Sequence, residues 1–203
     1  NKVDFDIWYK RRIEEGEERA FLARHLCAGD LFVDIGANIG AYTIPLLAAV
    51  PGLRVVAFEP LERLRLRLLH NLALNGLAGW AEVRAEAVGP YGSLTLYESG
   101  NAGRSSLIPF DGGRVGQSVP VRPLASLLPA APAALKVDVE GFEDRAILPY
   151  FDEMPRARWP RALVVETLHR GAWERDCLQE LFERGYVQAG RTEENALLQL
   201  APT

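Results

Sequence analysis

One stretch near the start of the chain restricts the possible folds more than any other. Residues 31–35 form an apolar run interrupted by Asp34, and a loop containing Gly36 and Gly40 leads from it into an apolar, helix-like segment. A strand, a tight turn and a helix in this order are typical of open α/β sheets, which bind nucleotides at the carboxyl ends of their strands. Gly36 lets the backbone turn tightly and approach a ligand, because it has no Cβ. The sequence therefore predicts a nucleotide-like ligand at this turn.

The rest of the chain alternates between short apolar runs and segments with helical spacing, which predicts an α/β fold with a mostly parallel sheet. Segments that alternate at period two, 93–97 and 118–121, predict a β-hairpin insertion between the third and fourth core strands. Core strands are predicted at 31–35, 53–58, 80–88, 135–139 and 162–166, followed by a terminal antiparallel pair at 186–190 and 195–200. Helices are predicted at 6–26, 61–75 and 173–184, with a further helix ending near residue 151.

The sequence also predicts one boundary between domains and one at the start of a helix. Residues 1–28 are predicted to form an N-terminal helical arm, and residues 29–203 the domain that contains the sheet. Pro45 lies inside the helix-like segment after the turn, and a proline costs about 3 kcal/mol in a helix interior but much less in the first turn. We therefore expect either a late helix start near Ala41 or a kink at Pro45.

Composition and charge disfavour several classes of protein. The formal net charge is −4 and no basic patch is evident, so nucleic acid is not expected as a partner. The longest apolar runs are too short to span a bilayer, so no membrane association is expected. Cys27 and Cys177 lie far apart and form no CxxC pair, which favours a reduced, cytoplasmic protein. A monomer or a homodimer is expected.

The second strand ends in an acid that a nucleoside ligand needs. Glu59 lies 23 residues beyond Gly36, and an acid at this place can accept hydrogen bonds from both ribose hydroxyls. The alternative is a carboxylate that only opposes the dipole of the following helix. Asn38 stands where dinucleotide-binding enzymes have a glycine that makes room for pyrophosphate. An adenosine-type ligand without phosphates is therefore favoured.

The fourth core strand carries charges that a buried parallel strand normally lacks. Lys136 and Asp138 are two residues apart and lie on the same face, and buried charges are costly unless they are paired or used. A structural ion pair is the simplest role for Lys136. Asp138 and Glu140 come at the carboxyl end of the strand, beside the predicted ligand turn, where a functional role is favoured.

These three stretches, in this order and spacing, resemble the FkbM-type family of S-adenosylmethionine-dependent methyltransferases. The family pattern of a DIGANIG loop, an FEP strand end and a KxDxEGxE segment is met by residues 33–40, 55–60 and 136–143, and the resemblance covers about residues 20–200. It implies a Rossmann-like class I methyltransferase fold with a seven-stranded, mostly parallel sheet and an antiparallel last strand. It also implies O-methylation of sugars or secondary metabolites.

The resemblance further implies a cofactor site for S-adenosylmethionine. Glu59 would bind the ribose, and Glu86 with Ala87, at the end of the third strand, would border the adenine. Asp138 would lie next to the methyl donor. The residues around the amino-acid part of the cofactor would be Asp34, Gly36, Ala37 and Asn38.

Methylation of an alcohol needs a group that accepts the hydroxyl proton. Asp138 is the first candidate and His169, which follows the fifth strand, is the second; Glu166, close to His169, is also predicted to be catalytic. Glu140 and the insertion residues Arg104, Ser105 and Ser106 are predicted to contact the acceptor, the two serines by resemblance to an SSL segment of the family. Asp138, Glu140, Glu166 and His169 could alternatively bind a divalent metal, but their spacing does not support this and no metal is expected.

The leading prediction is an S-adenosylmethionine-dependent O-methyltransferase that acts on a small-molecule or carbohydrate acceptor. One alternative is a nicotinamide-dependent oxidoreductase, because Glu59 would serve either ribose, although Asn38 speaks against it. The other alternative is a cofactor-binding protein without catalysis.

Overall fold

The computed structural model describes residues 16–99, 105–106, 108 and 113–202. The strands of this part are β1 Leu31–Ile35, β2 Arg54–Phe58, β3 Ala81–Arg84, β4 Ala87–Val88, β5 Gly92–Ser99, β6 Ser105–Ser106, β7 Gly113–Arg122, β8 Ala134–Val137, β9 Ala162–Glu166, β10 Tyr186–Arg191 and β11 Asn195–Leu200. The α-helices of the same part are α1 Gly16–Arg24, α2 Thr43–Ala49, α3 Glu62–Leu74, α4 Leu124–Leu127, α5 Glu143–Glu153 and α6 Cys177–Glu183.

Seven of these strands form one central sheet in the order β10-β11-β9-β8-β1-β2-β3. Five neighbouring strands of this sheet, β3, β2, β1, β8 and β9, run parallel to one another. The strand β11 runs antiparallel to both β9 and β10. The predicted seven-stranded, mostly parallel sheet with an antiparallel last strand is confirmed. Its carboxyl edge brings together the ends of β1, β2, β8 and β9, which is where ligands bind in open α/β sheets.

Both faces of the sheet are covered, which explains why β1, β8 and β9 are buried along their whole length. One face packs against α4, α5 and α6 through Leu124, Ile147 and Leu181. The other face packs against α1, α2 and α3, and Leu22 of α1 is fully buried there. The first 15 residues of the predicted helical arm lie outside the described residues, and its division from the sheet domain at residue 28 stays a prediction.

The insertion predicted between the third and fourth core strands is confirmed. It forms a second sheet in the order β4-β7-β5-β6, in which β5 and β7 are antiparallel. The predicted third strand, 80–88, is wrong in its length. Phe58 is the last residue of β2 and pairs with Arg84, so β3 has no ladder partner beyond that point, and Ala87 and Val88 pair with β7 in the second sheet instead.

Two helices begin later than their apolar patterns suggest. Thr43 starts α2, which places Pro45 in the first turn, where its missing N–H interrupts no helical hydrogen bond. This is the late start that the sequence offered as one of two possibilities. Cys177 starts α6, and Asp176 caps it by accepting a hydrogen bond from the Gln179 N–H. No helix in the described part of the chain is long and apolar enough to cross a membrane.

Candidate active site

The turn after β1 lies against the ends of both neighbouring strands. The backbone N–H groups of Gly36 and Ala37 donate to the carbonyl oxygen of Phe58, each at 3.0 Å. Gly36 has a φ of +79°, and a Cβ on it would overlap the carbonyl oxygen of Asp138. Only glycine therefore fits, and the turn and the end of β8 form one continuous wall at the carboxyl edge.

Glu59 is buried behind this turn, with 4% of its surface exposed. Its Oε2 accepts a hydrogen bond from the Asn38 N–H and its Oε1 accepts one from the Leu61 N–H, both at 2.9 Å. Asn38 is held in the left-handed region with a φ of 51°. Burial raises the pKa of Glu59 from 4.5 to about 7, although both backbone hydrogen bonds oppose the rise. The carboxyl group thus positions the turn and can still accept further hydrogen bonds.

Asp34 and Lys136 form an ion pair between neighbouring strands, as predicted for the lysine. Asp34 is fully buried, and its Oδ2 accepts a hydrogen bond of 2.6 Å from the Thr43 hydroxyl. The Lys136 Nζ lies 3.7 Å from Asp34 Oδ1 and 3.4 Å from Asp138 Oδ2, and it donates to the Gly36 carbonyl at 2.9 Å. Burial raises the pKa of Asp34, which Lys136 and Thr43 oppose. This pair ties β1, β8 and the turn together.

His169 and Glu166, predicted to be catalytic, lie together with Glu140, which is predicted to contact the acceptor. His169 Nδ1 is 3.2 Å from Glu140 Oε2 and 3.4 Å from Glu166 Oε1. Glu166 is buried, its Oε1 accepts a hydrogen bond from the Leu168 N–H, and its Oε2 has no hydrogen-bond partner among the described residues. Burial, reinforced by neighbouring carboxylates including Asp138, raises the pKa of Glu166 to about 9. The edge therefore combines acidic side chains with an imidazole.

Glu143 holds this edge in place, although the sequence reasoning gave it no separate role. Its carboxylate accepts hydrogen bonds from the Val139 N–H at 2.9 Å, the Gly141 N–H at 3.1 Å and the Trp173 Nε1–H at 2.7 Å. Gly141 has a φ of +100°, and a Cβ on it would lie 3.3 Å from the Cβ of His169. The KxDxEGxE pattern points to Glu143, whereas nothing in the sequence connects Trp173 to it.

The second sheet borders the Glu59 side of the site. Leu96 and Val121 pack with Ile39 of the turn, and Gln117 donates to the Pro60 carbonyl at 3.1 Å. Ser105 and Ser106 form β6 and pair with β5, while Arg104 lies outside the described residues.

The two residues predicted at the adenine are not at the end of the third strand. That strand ends at Arg84; Glu86 is half-buried in the following connection, and Ala87 is buried in β4. The reason is that β2 offers no pairing partner beyond Phe58.

Across the described ranges, no group of three or more His, Cys, Asp or Glu side chains is placed to hold a metal ion. The alternative metal site at the Asp138–His169 edge therefore receives no support from the geometry.

Comparison with known families gives one match. The sequence pattern described as the methyltransferase FkbM domain matches residues 34–187. No protein of curated function matches the chain in sequence.

Several solved structures share the fold at low sequence identity. An S-adenosylmethionine-dependent O-methyltransferase from Thermotoga maritima superposes with a TM-score of 0.57 at 14% identity, covering 100% of this chain and 72% of that one. A precorrin-6Y C5,15-methyltransferase from Geobacter metallireducens gives 0.54 at 16% identity, covering 90% and 84%. An rRNA methylase from Streptococcus thermophilus gives 0.53 at 15% identity, covering 91% and 95%. These likenesses show the class I methyltransferase fold, and they do not support the predicted exclusion of nucleic acid as acceptor.

Proposed function

Since this chain belongs to the FkbM family of S-adenosylmethionine-dependent methyltransferases, we propose that it methylates a hydroxyl group of a small-molecule or sugar-like acceptor. Because the family consists of methyltransferases, methyl transfer is favoured over the two alternatives, a nicotinamide-dependent oxidoreductase and a cofactor-binding protein without catalysis. The observation that supports methyl transfer at this edge is the contact between the turn at Gly36 and the strand end at Asp138. It brings the predicted cofactor turn next to the cluster of Glu140, Glu166 and His169.

The residues of the turn suit S-adenosylmethionine, which supplies a methyl carbon that is electrophilic because its sulfur is positively charged. The Oδ1 of Asn38 is buried and has no hydrogen-bond partner among the described residues, so it can accept a hydrogen bond from an ammonium group. Glu59 retains lone pairs for ribose hydroxyls beside those used by Asn38 and Leu61. Gly36 and Ala37 let the backbone approach the ligand. Glu86 and Ala87 remain the proposed border of the adenine.

Asp34 acts through other groups in this proposal. Its carboxylate is fully buried and already faces Thr43 and Lys136. It fixes the turn by holding Lys136 against the Gly36 carbonyl. We therefore assign Asp34 a positioning role behind the cofactor.

We propose that His169 accepts the hydroxyl proton and that Asp138 orients the hydroxyl. Because its Nδ1 lies beside the Glu140 carboxylate, the imidazole can keep a hydrogen on Nδ1 and take the proton on Nε2. An imidazole also has an ordinary pKa near neutrality, which suits a general base better than a carboxylate. Asp138, the first candidate from the sequence, has one oxygen engaged by Lys136 at 3.4 Å.

The charges of the edge favour a hydroxyl-rich acceptor over a polyanionic one. Asp138 and Glu140 both act electrostatically on Glu166 at this edge, and the formal net charge of the chain is −4. A line of phosphates would be repelled by these carboxylates, whereas hydroxyl groups would donate hydrogen bonds to them. This supports a small-molecule acceptor over RNA.

The acceptor class is tested with methyl-labelled S-adenosylmethionine and two acceptor pools, one of hydroxylated small molecules and sugars and one of total RNA. We expect base-stable label in the small-molecule pool. Label in RNA alone would contradict the proposal.

The proton acceptor is tested with His169→Gln, Asp138→Asn and the control His70→Gln, which changes an exposed histidine on α3. We expect kcat to fall by about 10² to 10⁴ in His169→Gln, with loss of the imidazole-like midpoint from the pH–rate profile. Asp138→Asn should lower the rate but keep that midpoint, and the affinity for S-adenosylhomocysteine should stay within about twofold in all three variants. A midpoint that survives in His169→Gln would refute the assignment.

A further inference from the structure

A separate cavity opens at the same edge of the sheet, between α6 and β10. Its volume is about 210 Å³. Its lining combines apolar side chains, among them Leu178 and Phe182, with Arg170, Arg191, Gln179, Gln188 and the carboxylate of Asp176.

The cavity has an excess of positive charge. Arg170 lies 3.3 Å from the carboxylate of Asp176, so these two charges largely offset each other. The side chain of Arg191 is exposed and makes no hydrogen bond or ion pair with the residues that the structure describes. One guanidinium therefore remains available, beside the exposed amide of Gln188. Guanidinium groups bind phosphate and carboxylate through two parallel hydrogen bonds.

The cavity lies next to the segment that carries His169. Thr167 and Arg170, which both line it, stand on either side of His169 in the chain. Ala196 pairs with Arg191 on one side and with Val165 on the other. Arg191 is therefore level with the end of β9 and two strand spacings away, about 10 Å. A ligand in the cavity would reach His169 without crossing the cofactor turn.

We infer that this cavity binds an anionic group, a phosphate or a carboxylate, carried by the acceptor at the end remote from the hydroxyl that is methylated. This inference rests on the proposed function, because the ligand of the cavity is taken to be the molecule that is methylated. A single anion in the cavity also agrees with the carboxylates at His169, because the two ends of the acceptor then meet opposite charges. The acceptor is accordingly an elongated, hydroxylated molecule with one acidic end.

The test is a thermal-shift titration of the full chain with inorganic phosphate, acetate and glucose 6-phosphate, at constant ionic strength maintained with chloride. The variants are Arg191→Gln and Arg191→Lys. Arg54→Gln is the matched control, because Arg54 is also exposed but begins β2 and lies at the opposite edge of the sheet. The ligand-free melting temperatures of the exposed-site variants show whether each variant is folded.

We expect a saturable rise in melting temperature with at least one of the oxyanions. The apparent Kd should rise at least tenfold in Arg191→Gln, less in Arg191→Lys, and stay within twofold in Arg54→Gln. A larger effect of phosphate assigns a phosphorylated acceptor, and a larger effect of acetate a carboxylated one. Absence of a response in the wild type, or equal responses in wild type and Arg191→Gln, would overturn the inference. None of these readouts needs methyl transfer, so failure of the proposed function would be seen separately, in the labelling assay.

Discussion

The buried carboxyl of Glu59 should make the stability of the ligand-free protein depend on pH in a defined way. Its pKa is about 7 in the folded protein against an ordinary value of 4.5. Below pH 4.5 the group is protonated in both states, and above about pH 7 it is ionised in both. Between these values the folded state binds more protons, so the free energy of unfolding falls as pH rises. At about 1.36 kcal/mol per pKa unit, the whole loss is about 3 kcal/mol.

Replacing Glu59 with Gln removes this titration. The change also weakens the hydrogen bonds from the Asn38 and Leu61 N–H groups, which costs about 1–2 kcal/mol at every pH. The stability of Glu59→Gln relative to wild type should therefore rise by about 2.5 kcal/mol between pH 5 and pH 8. Glu166 titrates in both proteins and cancels in the difference.

Urea unfolding at pH 5, 6, 7 and 8 measures this difference. Glu62→Gln is the control, since Glu62 is exposed in the first turn of α3, and any change in its stability relative to wild type between pH 5 and pH 8 should be far smaller than that of Glu59→Gln. If Glu59→Gln and wild type lose stability in parallel as pH rises, Glu59 does not titrate as the burial argument requires. Parallel curves would refute the reasoning.

Two further predictions test the framework around the site. Gly36→Ala should lower the free energy of unfolding by about 2–5 kcal/mol, because it combines left-handed strain with overlap at Asp138. Gly76→Ala, which has a φ of +69° but open space around it, should lose only about 1 kcal/mol in the same urea experiment; equal losses would contradict the packing argument. Trp173→Phe removes the hydrogen bond to Glu143 and should lower kcat while the Kd for S-adenosylhomocysteine stays within about twofold. An unchanged kcat would show that this bond does not position the catalytic edge.

The sequence was sufficient for the parts of the site that follow from strand order. Asp34, Glu59 and Asp138 each stand at or near the end of an apolar run, and parallel strands place such ends on one edge. A charge at Lys136 on a buried strand required a partner, and Lys136 pairs with both Asp34 and Asp138. These contacts were predictable for two reasons. Side chains two residues apart in a strand lie on the same face, and a buried charge is costly unless it has a partner.

Contacts that depend on loop geometry were not predictable. Trp173 reaches Glu143 across 30 residues, and no periodicity connects a helix start to a later loop. The run 80–88 looked like one strand because its composition does not change where β2 stops providing a partner at Phe58. Nothing in the sequence distinguishes Arg191 from other arginines, and only the register of β10, β11 and β9 places it level with the end of β9.

Calorimetric titration of the ligand-free protein with S-adenosylhomocysteine and with NAD tests the central claim most directly, namely that the turn at residues 34–40 and Glu59 hold a methyl-donor nucleoside. We expect S-adenosylhomocysteine to bind at one site per chain and NAD to give no heat. At a hundredfold excess over Kd the ligand should add about 2.7 kcal/mol to the free energy of unfolding. Glu59→Ala should abolish the binding. Binding of NAD without binding of S-adenosylhomocysteine would contradict the account.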